Sequence, residues 1–282
     1  MSRSARPDAP SSKSVAGSIL GLTRWVDRAY GAFTVVRDEV ALAACTGDVR
    51  SATTTAIYSR ADKYGGRSEY PDAGFFEFED RVVRRFFPRP PARVLVPACG
   101  AGREVLELLR RGYQIAGAYD PVPQFVDDCA ARVRPSGAEF PLWVGTHQGF
   151  SRGSFPSVGP VDAVLVGWGS YTHLLGGPAR VSFLRALRGL GPRAPVALSF
   201  FAPFEEVAGS PRSRLRAHLR AGLRRLRVGP PSEPGDAFRP GAGFVHYFDR
   251  ERMVAEAAAA GYSVAHYEDH HAAYPHAVLI PG

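Results

Sequence analysis

Residues 93–121, RVLVPACGAGREVLELLRRGYQIAGAYDP, contain the pattern that decides the fold. The apolar run VLV predicts a buried strand, and Gly100 and Gly102 follow it with residues that tolerate a positive φ and a close approach of other backbone. An amphipathic helix comes next and ends at Gly112, after two arginines that suit its C-terminus. A second apolar run ends on Asp120. The stretch therefore predicts a β-α-β unit with a glycine turn after its first strand.

An acidic residue stands at the tip of the second predicted strand. Asp120 lies about 20 residues after the first glycine, which is the spacing expected for a carboxylate that binds ribose hydroxyls, so an adenosine compound is the predicted ligand. A dinucleotide site would carry a third glycine where Val105 stands, and Glu104 would lie beside the pyrophosphate. A carboxylate there disfavours pyrophosphate and favours an ammonium or sulfonium group. Alternatively, Glu104 complements the dipole of the helix in its first turn.

These residues resemble motif I of the class I S-adenosylmethionine-dependent methyltransferases. Residues 97–104, PACGAGRE, are similar to the proline-cysteine-glycine variant of some small-molecule methyltransferases, including the thiopurine methyltransferase type. Ala98 replaces the usual acidic residue of the motif, and Arg103 replaces its last glycine. The resemblance runs from about Arg93 to the C-terminus and implies an enzyme that uses S-adenosyl-L-methionine. The cofactor-binding residues implied are Pro97, Ala98, Cys99, Gly100, Ala101, Gly102, Glu104, Asp120, Pro121, His147, Gly167 and Trp168.

Two later loops follow predicted buried strands and complete the implied site. In this family the loop after the third strand commonly holds an acidic residue at the adenine amino group, whereas this chain offers Thr146, His147 or Gln148 as hydrogen-bonding partners. The loop after the strand at 161–166 lies where ligands bind in a doubly wound sheet. There we predict His173 and Tyr171 as catalytic groups, an imidazole and a hydroxyl. The alternative is that Trp168 belongs to the core and His173 caps a helix.

The bulk composition narrows the function little. The chain has 282 residues, 45% of them apolar, which is enough for one large or two small domains. Its formal net charge of +8 favours a nucleic-acid partner. However, Lys13 and Lys63 are the only lysines, and an Arg-, Ala-, Gly- and Pro-rich usage is typical of a GC-rich genome. The three cysteines lack C-x-x-C spacing, and no run has the roughly 20 apolar residues of a membrane span, so we expect a soluble cytoplasmic protein.

The predicted organisation is a disordered tail at 1–14, a helical extension at 15–90, and a methyltransferase domain at 91–282 with a lid insertion at about 202–245. The extension begins with a helix that carries an apolar stripe at spacings of four and three residues: Leu22, Val26, Ala29, Phe33, Val36 and Val40. Such a stripe requires a cover, which we expect to come from its own domain, with a dimer partner as the alternative. A turn-rich loop is predicted at 47–74, followed by a helix that starts near Phe75.

Several polar residues outside the motif are candidates for the acceptor site. The resemblance implies that N-terminal elements cover the cofactor and substrate, which makes Tyr58, Tyr64 and Glu77 candidates. In the lid, the Pro- and Gly-rich loop at 229–243 and its flank supply Glu233, Asp236 and His246 as predicted substrate contacts. The seven arginines at 211–227 fit the solvated face of a lid helix, a polyanion contact or a membrane-surface helix.

The fold class predicted is α/β, a doubly wound, Rossmann-like, seven-stranded sheet with a C-terminal antiparallel hairpin and an N-terminal helical extension. The hairpin and its turn carry His266, His270, His271 and His276, which lack a cysteine or a well-spaced carboxylate partner apart from Glu268 and Asp269, so no metal is expected. The predicted function is methyl transfer to an O, N or S atom of a small molecule by a monomer or homodimer. The alternatives are an RNA methyltransferase that uses the Arg-rich helix, or an inactive module that binds the cofactor.

Overall fold

The central element of the computed structural model is a seven-stranded sheet with the order β3-β2-β1-β4-β5-β9-β8. The structure describes residues 12–60, 72–202, 210–226, 232–269 and 274–282, with side chains from Leu20 onward. The strands of this sheet are β1 Arg93–Pro97, β2 Gln114–Asp120, β3 Leu142–Val144, β4 Ala163–Val166, β5 Val196–Ser199, β8 Tyr262–Glu268 and β9 His276–Pro281. The first five are parallel, and β9 runs antiparallel to both β5 and β8. The predicted fold class is therefore confirmed.

Helices lie on both faces of the sheet and in the N-terminal extension and the lid. They are α1 Ser12–Ala44, α2 Gly47–Ser59, α3 Glu77–Phe86, α4 Arg103–Arg110, α5 Pro123–Val133, α6 His147–Ser151, α7 Gly177–Leu190, α8 Pro211–Arg225 and α9 Arg250–Ala259. Alternate residues of the strands point to opposite faces, so the apolar side chains form two cores. One core joins the sheet to α7 and α9, and the other joins it to α3, α4 and α5.

The order of the strands reverses at β1, which pairs with β2 on one side and with β4 on the other. In doubly wound sheets, the loops that follow the strands separate at this reversal and leave a crevice. Here the crevice lies between the glycine turn after β1 and the loop after β4. This topology places motif I and the loop that holds His173 at the same edge of the sheet.

Two secondary-structure predictions in the N-terminal extension and the lid were wrong. The region predicted as a turn-rich loop at 47–74 contains α2, and the predicted loop at 229–243 contains β6 Asp236–Arg239, which pairs with β7 Gly243–His246. In α2, the residues that face the domain include Arg50 and Thr54, so the helix has no apolar periodicity to detect. Residues 61–71, which include Tyr64, lie outside the described residues.

Helix α1 begins at Ser12, inside the predicted tail, and uses a different face from the one predicted for packing on its domain. Val35, Glu39 and Leu42 are buried, and α8 lies against this side of the helix. The predicted apolar stripe is exposed: Leu22, Val26, Phe33, Val36 and Val40 all face solvent. The prediction that the domain covers the stripe was therefore wrong. None of the described helices is long and apolar enough to cross a bilayer.

Candidate active site

A cavity of about 500 Å³ opens at the carboxyl ends of β1 to β4. Its floor is formed by Ala98 after β1, Pro121 after β2, residues 146–149 after β3, and Ser170 and His173 after β4. Its roof comes from elsewhere in the chain. The roof residues are Gly47, Asp48, Arg50, Ser51, Thr54, Thr55 and Tyr58 of α2 and its start, together with Asp236 and Phe244 of the β6–β7 hairpin.

The glycine turn bends sharply between β1 and α4. Ala98, Gly100 and Gly102 have φ angles of 54°, 52° and 93°. Gly102 lies so close to α5 that a Cβ atom would be 2.8 Å from the Cys129 sulfur, so both the φ angle and the packing require glycine there. Pro97, Cys99 and Ala101 are buried around the turn. The hydrogen bond with the Cys129 thiol and burial raise the pKa of the Cys99 thiol, so it is not positioned as a reactive nucleophile.

Asp120 lies at the end of β2, against the glycine turn. Its Oδ2 accepts a hydrogen bond of 2.9 Å from the Gly100 N–H, and its Oδ1 accepts one of 2.9 Å from the Val122 N–H. Burial raises the pKa of the carboxyl to about 6, against the opposing effect of these two bonds. Each carboxylate oxygen retains a second lone pair, so the group can accept further hydrogen bonds from a ribose diol.

A buried ion cluster lies beside the turn. Arg103, which stands in place of the last glycine of the motif, donates two hydrogen bonds of 2.6 Å to Glu79 and one of 2.6 Å to Glu104. Its guanidinium also lies 4.1 Å from the centre of the Phe76 ring and 4.7 Å from that of Trp168. The cluster therefore fixes the start of α3 against motif I.

Glu104 occupies the first turn of α4 and is almost fully buried. Burial, opposed by Arg103, raises the pKa of its carboxyl to about 7. Its Oε2 has no hydrogen-bond partner among the described residues. A Cβ atom on Gly167 would lie 2.3 Å from its Oε1, so the glycine after β4 leaves room for this carboxylate. This position is compatible with both roles considered for Glu104, which are attraction of an ammonium or sulfonium group and complementation of the α4 dipole.

His147 and Ser170 both line the cavity floor, where the His147 imidazole hydrogen-bonds to the backbone of Ser170. The Nδ1 atom of His147 lies 2.8 Å from the Tyr119 hydroxyl, and burial lowers the pKa of the imidazole to about 3, so the ring is neutral. Thr146 caps α6 by accepting a hydrogen bond of 3.0 Å from the Gly149 N–H. The Ser170 hydroxyl is buried and has no partner among the described residues. Sequence reasoning did not single out Ser170, because an isolated serine in a loop forms no pattern.

His173 connects the floor of the cavity to its roof. Its Nδ1 is 3.0 Å from the Phe244 carbonyl oxygen, so Nδ1 carries the proton and donates. Its Nε2 therefore has a lone pair and accepts a hydrogen bond of 2.9 Å from the Tyr58 hydroxyl. The Thr54 hydroxyl in turn accepts a bond of 3.1 Å from the Phe244 N–H. Burial lowers the pKa of the His173 imidazole and keeps it neutral.

Three residues of the loop after β4 lie outside the described lining of the cavity. Tyr171 is fully buried, its ring stacks on Phe248 at 5.0 Å, and its hydroxyl has no partner among the described residues. Burial raises the pKa of that hydroxyl far above its usual range. Trp168 has a φ of 55° and packs edge-on against Phe76. Gly167 lies over Glu104. These positions favour packing roles for Tyr171 and Trp168.

The predicted substrate residues of the lid form an internal network. His246 Nδ1 is 2.7 Å from Asp236 Oδ1, and the Glu233 N–H donates to Asp236 Oδ2 at 2.8 Å. The Glu233 carboxylate accepts a hydrogen bond of 2.7 Å from Arg180, which also binds Glu256. Of this trio, Asp236 lines the cavity and Glu233 and His246 lie behind it. Glu77 is a surface residue that pairs with Arg81.

The Arg-rich helix α8 uses part of its charge inside the protein. Arg220 donates to both carboxylate oxygens of Glu39 in α1, at 2.7 and 2.9 Å, and to the carbonyl oxygens of Glu233 and Asp236. Arg216 lies 3.5 Å from the same Glu39 carboxylate. The helix therefore ties α1 to the lid, which accounts for two of its arginines without a polyanion.

No protein-family model matches this sequence, and no curated protein sequence matches it. Solved structures do match its fold. A S-adenosylmethionine-dependent methyltransferase from Methanosarcina mazei has a TM-score of 0.51 at 14% identity over 73% of this chain and 96% of that chain. One from Bacteroides fragilis, in complex with S-adenosyl-L-homocysteine, has a TM-score of 0.50 at 15% identity over 74% and 78%. One from Clostridium acetobutylicum has a TM-score of 0.50 at 9% identity over 80% and 94%.

These structures share the chain's architecture at an identity too low to transfer an activity. The seven-stranded order and the antiparallel β8–β9 pair are features of this chain itself. Together with the comparisons they lead to one conclusion. The chain has the class I fold of the S-adenosylmethionine-dependent methyltransferases.

Proposed function

We propose that this protein is an S-adenosyl-L-methionine-dependent methyltransferase that acts on an O, N or S atom of a small molecule. The observation that carries the proposal is the cavity at the switch in strand order, which is lined by Ala98 of the glycine turn and by the neutral His147 and His173. The buried Asp120 carboxylate lies just behind this lining, between Tyr119 and Pro121. A cavity of about 500 Å³ is within the range of sites that enclose small ligands. The residues 97–104 that form the turn support, within this class, the thiopurine methyltransferase-like variant of motif I.

The residues around the turn fit the cofactor. Backbone from Ala98 to Gly102 would cradle the methionine part, and Asp120 would accept hydrogen bonds from the ribose hydroxyls. The polar groups after β3, at Thr146, His147 and Gln148, would face the adenine. Glu104, with an oxygen that lacks a described partner, would place negative potential behind the turn. When bound, the cofactor supplies a methyl group on a positively charged sulfur.

The protein's own contribution to transfer is alignment and removal of a proton. Displacement at a methyl group depends mainly on the alignment of the reacting atoms and on exclusion of water. An acceptor that carries a proton also needs a base, and His173 offers an unprotonated Nε2 inside the cavity. The Tyr58 hydroxyl, 2.9 Å from this nitrogen, marks where an acceptor O–H or N–H would donate. Roof residues Thr54 and Phe244 shape the space around that position.

Asp120→Asn is expected to lower the affinity for S-adenosylmethionine by about tenfold or more. The amide keeps the size of the side chain but removes the charge and one acceptor, which weakens the hydrogen bonds to both ribose hydroxyls. Isothermal titration calorimetry with S-adenosyl-L-homocysteine and with S-adenosyl-L-methionine measures the change in Kd. Asp127→Asn is the matched control, because Asp127 is exposed on α5. Equal affinity in Asp120→Asn and the native protein would contradict the assigned ribose contact.

Activity is tested by incubating the protein with a methyl-labelled donor and an extract of small metabolites. A labelled product that mass spectrometry finds with the native protein, and in smaller amount with Asp120→Asn at limiting donor, supports the proposal. Calorimetry with NAD is the competing measurement, since a dinucleotide would use the same crevice. Binding of NAD in place of S-adenosylmethionine would overturn the proposal, and cofactor binding without any labelled product would point to an inactive binding module.

A further inference from the structure

Three potential metal ligands meet at one end of the β8–β9 pair. Glu268 lies directly opposite His276 in the antiparallel register, and His266 precedes Glu268 by two residues on the same strand. Residues two apart on a strand share a face, and directly opposed residues on neighbouring strands lie side by side. The three side chains therefore project from one face of the hairpin, which sequence spacing alone did not reveal.

A β-bulge creates this arrangement. The register shifts between Val264 and His266, so that Val264 pairs with Leu279 and His266 pairs with Val278. Val264 and Tyr267 pack on the core under α7 and α9. The extra residue of the bulge moves His266 and Glu268 to the opposite face, on which His276 lies. Without the bulge, the strand's alternation would place His266 on the same side as Val264.

The distances between the ligand atoms match a coordination sphere. His266 Nε2 is 3.2 Å from His276 Nε2 and 3.4 Å from Glu268 Oε1, and His276 Nε2 is 3.8 Å from Glu268 Oε2. Ligands of a tetrahedral zinc ion with bonds near 2.0–2.1 Å are separated by about 3.3 Å. One ion can therefore contact all three side chains, with a fourth position left for water.

The hydrogen bonding of His276 prepares it as a ligand. Its Nδ1 lies 2.9 Å from the Tyr274 carbonyl oxygen, so Nδ1 carries the proton and the lone pair of Nε2 faces His266. Metal-binding histidines typically donate their second ring N–H in this way. Phe78 packs against the His276 ring at 4.6 Å and fixes its orientation.

The charges around this cluster include two arginines as well. Arg81 lies 3.3 Å from Glu268 Oε2, and Arg85 is also close enough to lower the pKa of His266. The Arg81–Glu268 contact is half exposed, so it is weak and a metal ion can compete with it for the carboxylate. Without a metal, the two imidazoles can share a single hydrogen bond through His266 Nε2. A metal site would bind an added ion, whereas a simple hydrogen bond between the two imidazoles would not.

We propose that His266, Glu268 and His276 bind a divalent transition-metal ion of the zinc type. The ion would tie the ends of β8 and β9 together next to α3. The test is titration of the full chain, without a polyhistidine tag, with Co²⁺ followed by visible absorption and with Zn²⁺ followed by calorimetry. One ion per chain is expected, with the strong visible bands of a tetrahedral Co²⁺ site. His266→Ala is expected to weaken binding by about tenfold or more.

Two controls separate this site from other histidines. His218→Ala, on the exposed side of α8, is expected to bind as the native protein does. The double change of His270→Ala and His271→Ala, at positions outside the described residues, is likewise expected to keep binding. The proposal fails if the native chain binds no ion, if His266→Ala binds with native affinity, or if only the double variant loses binding. His276 is 2% exposed and His266 is 21% exposed, so His266 carries the test, and thermal melting verifies that the variant folds.

A second, independent observation concerns the apolar face of α1. All described side chains from Leu20 to Tyr30 are exposed. Helices in proteins gain most of their stability from tertiary packing, so this part of α1 lacks its usual source of stability. Trp25, Tyr30 and Phe33 are 66%, 66% and 63% exposed. Large aromatic side chains in this number on one helix indicate a surface that is covered in solution.

The spacing of this face identifies what covers it. The stripe at Leu22, Val26, Ala29, Phe33, Val36 and Val40 alternates steps of four and three, which is the seven-residue repeat of a coiled-coil seam. Residues on the other side, Val35, Glu39 and Leu42, are those buried against the protein's own domain. The helix therefore presents a second face that is patterned for another helix.

The area fits a stable pair. Aromatic side chains bury about 150–250 Å² each, so Trp25, Tyr30 and Phe33 alone reach the size of the largest patch on a typical monomer, about 300–600 Å². With the aliphatic residues of the stripe they approach the roughly 800 Å² per partner of a standard interface. We infer that α1 pairs with α1 of a second copy of this chain. The unit in solution would then be a dimer of two 30.5 kDa chains.

Light scattering coupled to size-exclusion chromatography tests the pairing. The native chain is expected to elute as a dimer at micromolar concentration. Phe33→Glu is expected to elute as a monomer, because burying an unpaired carboxylate in the seam is energetically costly. Val254→Glu, at a site on α9 that is 45% exposed, is the matched control and is expected to remain dimeric. A monomeric native chain, a dimeric Phe33→Glu chain, or capture of the native chain by lipid vesicles in place of dimerisation would overturn the inference.

Discussion

Replacing His173 by alanine is expected to lower the turnover of the proposed methyl transfer by about 10²–10⁴-fold, with little change in the KM for the cofactor. The residue presents an unprotonated Nε2 to the cavity, because Nδ1 donates to the Phe244 carbonyl oxygen at 3.0 Å. Removing the ring removes the proton acceptor but leaves the glycine turn and Asp120 in place. Steady-state kinetics with the labelled donor measure turnover and KM separately.

The pH profile supplies a second measurement of the same group. A base must be unprotonated, so activity is expected to fall as the pH drops through the pKa of His173. Burial lowers that pKa, and the acid limb is therefore expected below pH 6.5, the ordinary value for histidine. Tyr58→Phe is expected to keep the base and to cost less than His173→Ala, while His218→Ala on α8 serves as the matched control. Undiminished turnover in His173→Ala at neutral pH would exclude it as the base.

Replacing Arg103 by methionine is expected to lower the free energy of unfolding by about 3–5 kcal/mol, since removal of one partner from a buried ion cluster leaves uncompensated charge. Arg103, Glu79 and Glu104 are all nearly inaccessible to solvent, and the shortest contacts between them are 2.6 Å. Without the guanidinium, two adjacent carboxylates remain in a region of low dielectric. Urea denaturation monitored by circular dichroism measures the loss.

The matched control for this prediction is Arg110→Met on the same helix. The Arg110 side chain is 52% exposed and pairs with Glu107, so its removal is expected to cost about 1 kcal/mol or less. The combined variant Arg103→Met, Glu79→Gln and Glu104→Gln is expected to recover part of the loss, because it removes the orphaned charges as well. An Arg103→Met protein as stable as the native one would show that the cluster is not coupled to folding.

The sequence was most informative where the determinants are local. The β-α-β unit at 93–121 combines apolar runs, turn glycines and a strand-end carboxylate within thirty residues or so, and the structure contains each element. The closing pair of strands was likewise predicted from apolar runs separated by a polar turn. Periodicity and turn chemistry suffice for such segments, because the interactions that decide them lie within a few residues.

The roof of the site could not be predicted, because it depends on contacts between distant segments. Thr54 and Phe244 are joined by a hydrogen bond of 3.1 Å across 190 residues of sequence. Helix α2 packs through polar side chains, so its sequence indicates turns more strongly than a helix. The buried arginine at position 103 was also unexpected, because the motif has a glycine there and its partner Glu79 belongs to another helix. Only tertiary structure shows that the pair meets.

The origin of the roof has a consequence for how this protein could change its specificity. The proposed cofactor site is formed by consecutive loops of the sheet, whereas Tyr58, Thr54 and Phe244 come from a helix and a small hairpin that lie outside the sheet. Substitutions in those two outer pieces can alter which acceptor fits while the donor's binding is preserved. Natural mutation or laboratory selection can therefore change the acceptor through substitutions in the roof, while the sheet and its loops stay unchanged.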